Sequence, residues 1–147
     1  MKTIKIHILL NIIMFIILSS CVKENENNGN YSNMAPKIDS LIMSSDLTTK
    51  EDINVICYST FPYTSCFSEN FNINIENNII QVENYHFMGG YAGFCNSVDT
   101  IPLGNLNEGN YVLYYYLNYK TEMESTYTLA DIDTILFVVS SKTKPKK

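Results

Sequence analysis

Catalysis by a serine or cysteine nucleophile needs a histidine base and an orienting acid nearby. The 147-residue chain contains two histidines, His7 and His86, and no Gly-x-Ser-x-Gly turn that would present a serine. Carboxylates are plentiful, so a pair for glycoside hydrolysis is compatible with the composition. However, a small β domain seldom encloses the deep cleft that such chemistry needs. We therefore expect a protein that is not an enzyme.

The residue pattern also argues against a metal or a cofactor. No Cys-x-x-Cys pair accompanies the histidines, which disfavours zinc. The glycine-rich segment Met88–Gly93 lacks the Gly-Lys-Ser/Thr of a phosphate-binding loop, and we interpret it as a plain loop. Asp131 and Asp133 offer two carboxylates for calcium, although this spacing before a strand is more typical of a solvated turn. We expect no metal and no cofactor.

Cys21 directly follows a hydrophobic leader segment. Lys2 and Lys5 precede the apolar run Ile8–Leu18, and two serines follow it, which is the order of a secretory signal. The stretch Leu18-Ser19-Ser20-Cys21 resembles the lipobox of bacterial lipoproteins. That resemblance implies a signal peptide over residues 1–20, which a peptidase removes after the thiol of Cys21 is acylated. The competing interpretation, a transmembrane helix, needs about 20 apolar residues, roughly twice this run. Several acyl chains would anchor the mature protein without crossing the membrane.

Residues 21–35 predict a flexible tether, because they are polar and nearly free of aliphatic side chains. Lys23-Glu24 followed by Glu26 resembles the acidic sorting signal of some Gram-negative lipoproteins, which implies the outer membrane. An asparagine-rich spacer fits the same residues equally well. Either interpretation places the following domain away from the lipid, on the cell surface or in the periplasm.

The charge distribution disfavours nucleic acid as a partner. The formal charge of the chain is −5, and removal of residues 1–20 takes away two lysines and no acid, which leaves −7. The chain has no arginine, and four lysines crowd the tail over residues 142–147. Because phosphate binding needs a basic patch, we expect no nucleic-acid contact. The tail itself is most simply a solvated terminus.

Residues 36–141 predict one all-β domain, because apolar residues alternate with polar ones at the period of a strand. The turn at Glu76-Asn77-Asn78 predicts a hairpin over residues 69–87, with a β-bulge near Asn84 where the apolar phase slips. About seven antiparallel strands are expected, over residues 38–43, 53–58, 69–75, 80–87, 98–103, 111–119 and 132–139. Such a set favours two packed sheets.

The segment Leu106-Asn107-Glu108-Gly109-Asn110-Tyr111 resembles the tyrosine corner of immunoglobulin-like and fibronectin-III-like sandwiches. The resemblance covers residues 103–119 and implies that the Tyr111 hydroxyl binds the backbone upstream. It also implies an immunoglobulin-like β-sandwich. The chain lacks tryptophan, and its cysteines are not on the second and sixth predicted strands, so an antibody-type domain is not implied.

Three cysteines remain if Cys21 is acylated, and they allow three single pairings. Cys57 shares the phase of Ile53 and Val55, which predicts a small buried side chain. Cys66 and Cys95 lie in loop-like surroundings on either side of the predicted hairpin. Export would place them in an oxidising compartment, so we expect a Cys66–Cys95 disulfide. Pairing of Cys57 with either of them remains the alternative.

A ligand-binding face is predicted on the last two strands. If Leu113 and Leu117 point inward, Tyr114 and Tyr116 point outward, and Leu136 and Val138 join them from the next strand. If the third predicted strand lies beside the sixth, Asn70, Asn72 and Asn74 border this patch. Aromatic rings beside amides suit a glycan or a peptide. The alternative is that the tether, the glycine-rich loop or a second copy of the chain covers the patch.

Three further segments, Asp39-Ser40-Leu41, Asp99-Thr100-Ile101 and Asp133-Thr134-Ile135, resemble the O-glycosylation acceptor of some exported bacterial proteins. Polar pairs at the starts of strands explain the same pattern. Taken together, the residues favour a membrane-anchored lipoprotein that acts as a non-catalytic binding or accessory module. The alternative is a structural or adhesive subunit that assembles through strand pairing.

Overall fold

The computed structural model describes residues 34–43, 47–49 and 51–141. The predicted signal peptide, the lipidation site Cys21, most of the tether and the tail over residues 142–147 lie outside the described residues. The described chain is all-β, as expected, with five strands: β1 Lys37–Met43, β2 Ile53–Glu76, β3 Ile79–Gly104, β4 Gly109–Thr121 and β5 Thr128–Val139. Within these ranges, no helix is long and apolar enough to cross a membrane.

The strands form one mixed sheet in the order β1-β2-β3-β4-β5. Neighbouring strands are antiparallel except for β3 and β4, which are parallel, so the expectation of antiparallel pairs throughout is wrong at this position. β2 combines the second and third predicted strands, and β3 combines the fourth and fifth. The seven-stranded sandwich is therefore not confirmed. The predicted glycine-rich loop, residues 88–93, lies inside β3 instead.

The long β2–β3 ribbon is irregular near its middle, and irregularities of this kind bend a strand. Its register shifts between Phe61 and Tyr63 and again between Tyr63 and Ser65. On the other strand Gly90 has φ +85°, a conformation that favours glycine, and a β-carbon there would lie 2.5 Å from the Thr64 hydroxyl oxygen. Glycine at this position therefore allows the ribbon to bend where a loop was expected.

The two ends of the sheet meet. The Ile38 amide of β1 donates a hydrogen bond of 2.8 Å to the carboxylate of Asp131 on β5. Backbone bonds also join residues 47–49 to Ser140, directly after β5. The sheet thereby encloses a single apolar cluster to which β2, β3, β4 and β5 all contribute buried side chains. Burial alternates along β4, where Tyr111, Leu113, Tyr115 and Leu117 are buried.

Two local predictions are confirmed by geometry. The hairpin turns at Asn77 and Asn78, whose φ values of 48° and 68° are those of a two-residue type I′ turn. The Tyr111 hydroxyl donates a 3.0 Å hydrogen bond to the Asn107 carbonyl, as a tyrosine corner requires. Tyr111 is buried and stacks on Phe137 of β5. This contact fixes the entry into β4.

The predicted phase slip at Asn84 is wrong. β3 keeps its phase, so that Ile80, Val82, Asn84 and His86 all point inward and are fully buried. The bulge lies on the opposite strand, where β2 has an extra residue between Ser68 and Asn70. Sequence periodicity suggested a slip because polar residues occupy the inward positions of β3.

The Cys66–Cys95 disulfide is confirmed, and Cys57 is a buried free thiol. Both bonded cysteines lie in strands, not in loops: Cys66 pairs with Met88 in the ladder, and Cys95 pairs with Phe61. These two ladder pairs lie on opposite sides of the bend. The bridge therefore links the two halves of the ribbon.

Candidate functional site

The solvent-facing side of the second half of β2, the first half of β3, β4 and β5 forms a broad surface, which we call the outer face. Tyr114 and Tyr116 lie at its centre because the odd-numbered residues from Tyr111 to Leu117 are buried and the even-numbered residues between them are not. β5 alternates in the same way, and Leu136 and Val138 are 76% and 60% exposed beside β4. The four side chains of the predicted patch therefore lie on one face, but they are spread along it, because Leu136 and Val138 lie opposite Val112 and Asn110 and not opposite the tyrosines.

The register places these side chains in rows that cross the sheet. One row contains Asn72, Glu83, Tyr116 and Ile132, and the next contains Asn74, Gln81, Tyr114 and Thr134. A third row, nearer the hairpin turn, contains Glu76, Ile79, Val112 and Leu136. In the first two rows polar side chains of β2 and β3 precede the tyrosines of β4, whereas the third row is aliphatic after Glu76.

The expected contact between the asparagine row and the tyrosines is corrected by these rows. Asn70, Asn72 and Asn74 share the outer face with Tyr114 and Tyr116, but β3 lies between them. Gln81 and Glu83 are the direct neighbours of the tyrosines, a placement that the parallel β3–β4 pairing produces. Shallow depressions lined by Asn72, Asn74, Gln81 and Glu83 lie at this edge of the outer face.

A cluster of charged and aromatic side chains closes the outer face at the end away from the hairpin turn. Lys120 Nζ lies 2.8 Å from the Glu69 carboxylate and 4.7 Å from the centre of the Tyr127 ring. The Tyr127 hydroxyl also donates to Glu69, and its ring meets Tyr85 edge to face. The pKa of Glu69 is lowered mainly by the hydrogen bond from Lys120. The same hydrogen bond is the main reason why the pKa of Lys120 is raised.

Next to this cluster, the Tyr85 hydroxyl donates a 2.7 Å hydrogen bond to Glu83. This bond is the main cause that raises the pKa of Tyr85, because ionisation of the phenol would place two negative charges together. The hydroxyl therefore stays protonated at neutral pH. The hydrogen bond turns the Glu83 side chain toward Tyr85. Glu83 itself belongs to the same row as Tyr116.

Sequence reasoning missed a second group of polar residues, which is buried in the core. Asn84 donates from Nδ2 to the Tyr115 hydroxyl at 2.8 Å and accepts at Oδ1 from the Ser68 hydroxyl at 2.8 Å. His86 Nε2 lies 2.9 Å from Asn84 Nδ2 and 3.0 Å from the Asp99 carboxylate. The signal that could have found this group is the polar pair Asn84 and His86 in the inward phase of an apolar strand.

The buried polar group is unsuited to nucleophilic chemistry. Burial raises the pKa of the Cys57 thiol to about 12, so the thiol remains protonated at neutral pH. Burial also raises the pKa of Tyr115, which shares a hydrogen bond with Cys57. Two buried polar atoms, Ser59 Oγ and His86 Nδ1, have no hydrogen-bond partner among the described residues. The Cys57 thiol and the Tyr115 hydroxyl are therefore both buried and protonated.

The part of the chain that the structure describes contains no group of three or more histidine, cysteine, aspartate or glutamate side chains that could hold a metal ion. Asp131, one of the two carboxylates considered for calcium, instead accepts hydrogen bonds from the amides of Ile38 and Ile132. Asp133 accepts from the amide of Thr134.

Comparison with known proteins found no matching family model, no similar curated protein and no similar solved structure.

Proposed function

We propose that this protein is an exported lipoprotein, anchored through Cys21, whose domain acts as a non-catalytic binding module at the cell surface or in the periplasm. The outer face is the recognition surface in this proposal, and a glycan or an extended peptide is its ligand. The anchor rests on the leader and its resemblance to a lipobox, since Cys21 lies outside the described residues. The recognition surface rests on the outer face itself.

The arrangement around Tyr114 and Tyr116 carries the proposal. Both rings are half-buried between strands, so their orientation is held while one surface stays accessible. Gln81 and Glu83 lie on one side of the rings, and Thr134 and the exposed Ile132 of β5 lie on the other. Fixed aromatic rings next to hydrogen-bonding side chains suit a sugar ring or a peptide side chain, because both offer an apolar and a polar surface.

The absence of catalysis in this proposal is supported by the placement of His86. Its ring is fully buried, stacks on Phe61 at 4.7 Å and is engaged with Asn84 and Asp99. A general base must reach the proton that it removes from a substrate. A ring held in this position has no access to a ligand on the outer face.

We also propose that the fold is a variant of the immunoglobulin-like sandwich. The bend divides β2 and β3 into two segments each, which with the other three strands makes seven. The tyrosine corner at Tyr111 and the single core shared by both halves of the ribbon support this interpretation. The parallel pairing of β3 with β4 departs from the antiparallel expectation.

Substitution of the two central tyrosines tests the recognition surface. We expect Tyr114→Ser and Tyr116→Ser together to weaken binding to a glycan array or a panel of extended peptides by about ten-fold or more, with little change in the melting temperature. Tyr58→Ser is the matched control, because Tyr58 is exposed on the first half of β2, away from the outer face. Equal loss of binding in the control would contradict the proposal. A sharp fall in the melting temperature of the double tyrosine variant would also contradict it.

The second candidate is a structural or adhesive subunit that assembles through strand pairing. A specific observation favours it: the second half of β2 pairs with β3 on one side and with no described strand on the other. Growth into a polymer would need two different edges that fit each other. Concentration-dependent filaments seen by electron microscopy would support this candidate over a binding module.

A further inference from the structure

The free edge of β2 begins beyond its pairing with β1. β1 pairs with residues 55–60 of β2, and β3 pairs along the whole strand. From Tyr63 to Glu76, one side of β2 therefore has no partner strand among the described residues. The bulge between Ser68 and Asn70 interrupts this edge, which leaves Asn70–Glu76 as a regular stretch that ends at the hairpin turn.

The type I′ turn determines which backbone groups face outward on this stretch. In a two-residue hairpin the flanking residues, here Glu76 and Ile79, form a hydrogen-bonded pair, and such pairs alternate along the ladder. Asn72, Asn74 and Glu76 thus direct their amide and carbonyl groups toward β3. Phe71, Ile73 and Ile75 direct theirs toward the free edge.

The edge of β5 is covered, and the part of β3 beyond its pairing with β4 contains a charge and a proline near its end. β1 and residues 47–49 lie against the edge of β5. The second half of β3 contains Pro102, which has no amide hydrogen to donate, and the charged Asp99. By contrast, Asn70–Ile75 contains no charged residue and no proline, and Phe71 and Ile75 are 41% and 43% exposed. Exposed apolar side chains on an uncharged edge are a ready template for another strand.

We infer that the second half of β2 pairs antiparallel with the same segment of a second copy of this chain, in a two-fold arrangement centred on Ile73. The outward-facing backbone groups then form hydrogen-bonded pairs between the two copies of Ile73 and between Phe71 and Ile75 of the partner subunit. Asn72 lies opposite Asn74 of the partner subunit. The apolar side chains of Phe71 and Ile75 cover each other on the core side.

The edge is self-complementary in this register, with asparagine opposite asparagine and apolar side chains opposite each other, which favours a second copy as its occupant. The chain is acidic overall, with a formal charge of −5, so most of its surfaces repel a second copy. In the proposed register the only charged side chain is Glu76, and it faces the uncharged Asn70 of the partner subunit. The acidic character of the molecule therefore does not oppose this particular contact.

The symmetry of the contact limits assembly through it to a dimer, because each copy uses the same edge of β2 and the contact closes on itself. The inference rests on the free edge and is independent of the proposed function. The two-fold axis is perpendicular to the sheet, so the two copies form one continuous sheet and both outer faces lie on the same side of it. Two recognition surfaces held in this way would bind a repetitive ligand with increased avidity.

Sedimentation analysis of the full chain extracted in detergent tests the dimer. Ile75→Pro removes an amide hydrogen that faces the free edge and spares the β2–β3 ladder, so we expect the dimer dissociation constant to rise about ten-fold or more. Ile75→Lys, which places a charge at the contact, should have the same effect and serves if the proline variant does not fold. Leu136→Lys, on the exposed outer face, is the matched control and should remain dimeric. A wild-type chain that stays monomeric at about 100 μM would overturn the inference.

Cysteine cross-linking tests the register. Ile73→Cys places one thiol from each copy beside the two-fold axis, where paired α-carbons are about 5.5 Å apart, within the range that a disulfide spans. Mild oxidation should yield a covalent dimer linked through the substituted position. Thr134→Cys, exposed on β5, is the control and should remain monomeric on a non-reducing gel. Equal cross-linking of the two variants would overturn the proposed register.

Discussion

At the scale of single residues, the polar side chains of the core are the least expected feature. Asn84 joins Ser68, Tyr115 and His86, and His86 extends the chain of contacts to Asp99. Buried polar groups are tolerated when they are hydrogen-bonded and are costly when a partner is lost. Asn84 has the most contacts of this group and therefore has the largest expected effect on stability.

We predict that Asn84→Leu lowers the free energy of unfolding by about 2 to 4 kcal/mol, because an apolar side chain of similar size leaves several buried groups unpaired. Urea denaturation measures the change. Asn72→Leu, the same substitution on the exposed outer face, should change stability by about 0.5 kcal/mol or less. If both variants unfold at the same urea concentration, the buried contacts of Asn84 contribute little.

The Glu69 carboxylate gives a pH-dependent prediction. Its folded pKa is lowered from the ordinary value of 4.5, chiefly by the hydrogen bond from Lys120. The contact is therefore fully present above pH 4.5 and is lost as the pH falls through the lowered pKa. An NMR titration of the Glu69 carboxyl should show a midpoint below 4.5, and Lys120→Met should raise it. A midpoint that does not move in Lys120→Met would exclude Lys120 as the cause.

At the scale of elements, the bent β2–β3 ribbon organises the domain. Its first half pairs with β1, and its second half supplies the β3 segment on which β4 lies. The bend requires register shifts in β2 and a positive φ at Gly90. The disulfide joins the two halves of the ribbon across this bend, so its loss should affect the whole domain.

We predict that Cys66→Ala and Cys95→Ala lower the free energy of unfolding alike, by roughly 3 to 4 kcal/mol on the chain-entropy estimate for a loop of this length. The double variant should be no less stable than either single one, because all three lose the same bridge. Thermal or urea unfolding of the three proteins measures this. Cys57→Ala provides the contrast as a small truncation of the core, costing about 1 kcal/mol. Additive losses in the double variant would show that each cysteine has a separate role.

At the scale of the whole molecule, the proposed anchor and the described domain have separate tasks. The leader and the tether lie outside the described residues, whereas the outer face is an intrinsic surface of the sheet. A lipid anchor with a polar tether of about a dozen residues would keep the domain near the membrane and free to reorient. Recognition in this arrangement depends on the domain, and location depends on Cys21.

We predict that intact-mass analysis of a membrane extract finds the chain beginning at Cys21 with lipid attached. Cys21→Ala should release the protein from the membrane fraction and leave the melting temperature of the domain unchanged. Asn11→Ser, which lies in the leader and keeps the stretch Leu18-Ser19-Ser20-Cys21, is the control and should remain in the membrane fraction. Cleavage at another position, or unchanged membrane partition of Cys21→Ala, would contradict the anchor.

The sequence by itself determined the features that depend on local spacing. Alternation along β4 and β5 placed Tyr114, Tyr116, Leu136 and Val138 on one face, because successive side chains of a strand point to opposite sides. Asn77-Asn78 specified the hairpin turn, since asparagine tolerates positive φ. The phase of Cys57 separated it from the two cysteines that form the disulfide.

Only the tertiary structure decided how distant segments pair. Which strand lies beside β4 depends on contacts between residues far apart in sequence, and local alternation carries no information about them. The parallel β3–β4 pairing therefore separated the asparagine row from the tyrosines, against expectation. The same applies to Asn84 and His86: their burial becomes favourable because Ser68, Tyr115 and Asp99 arrive from other segments to pair with them.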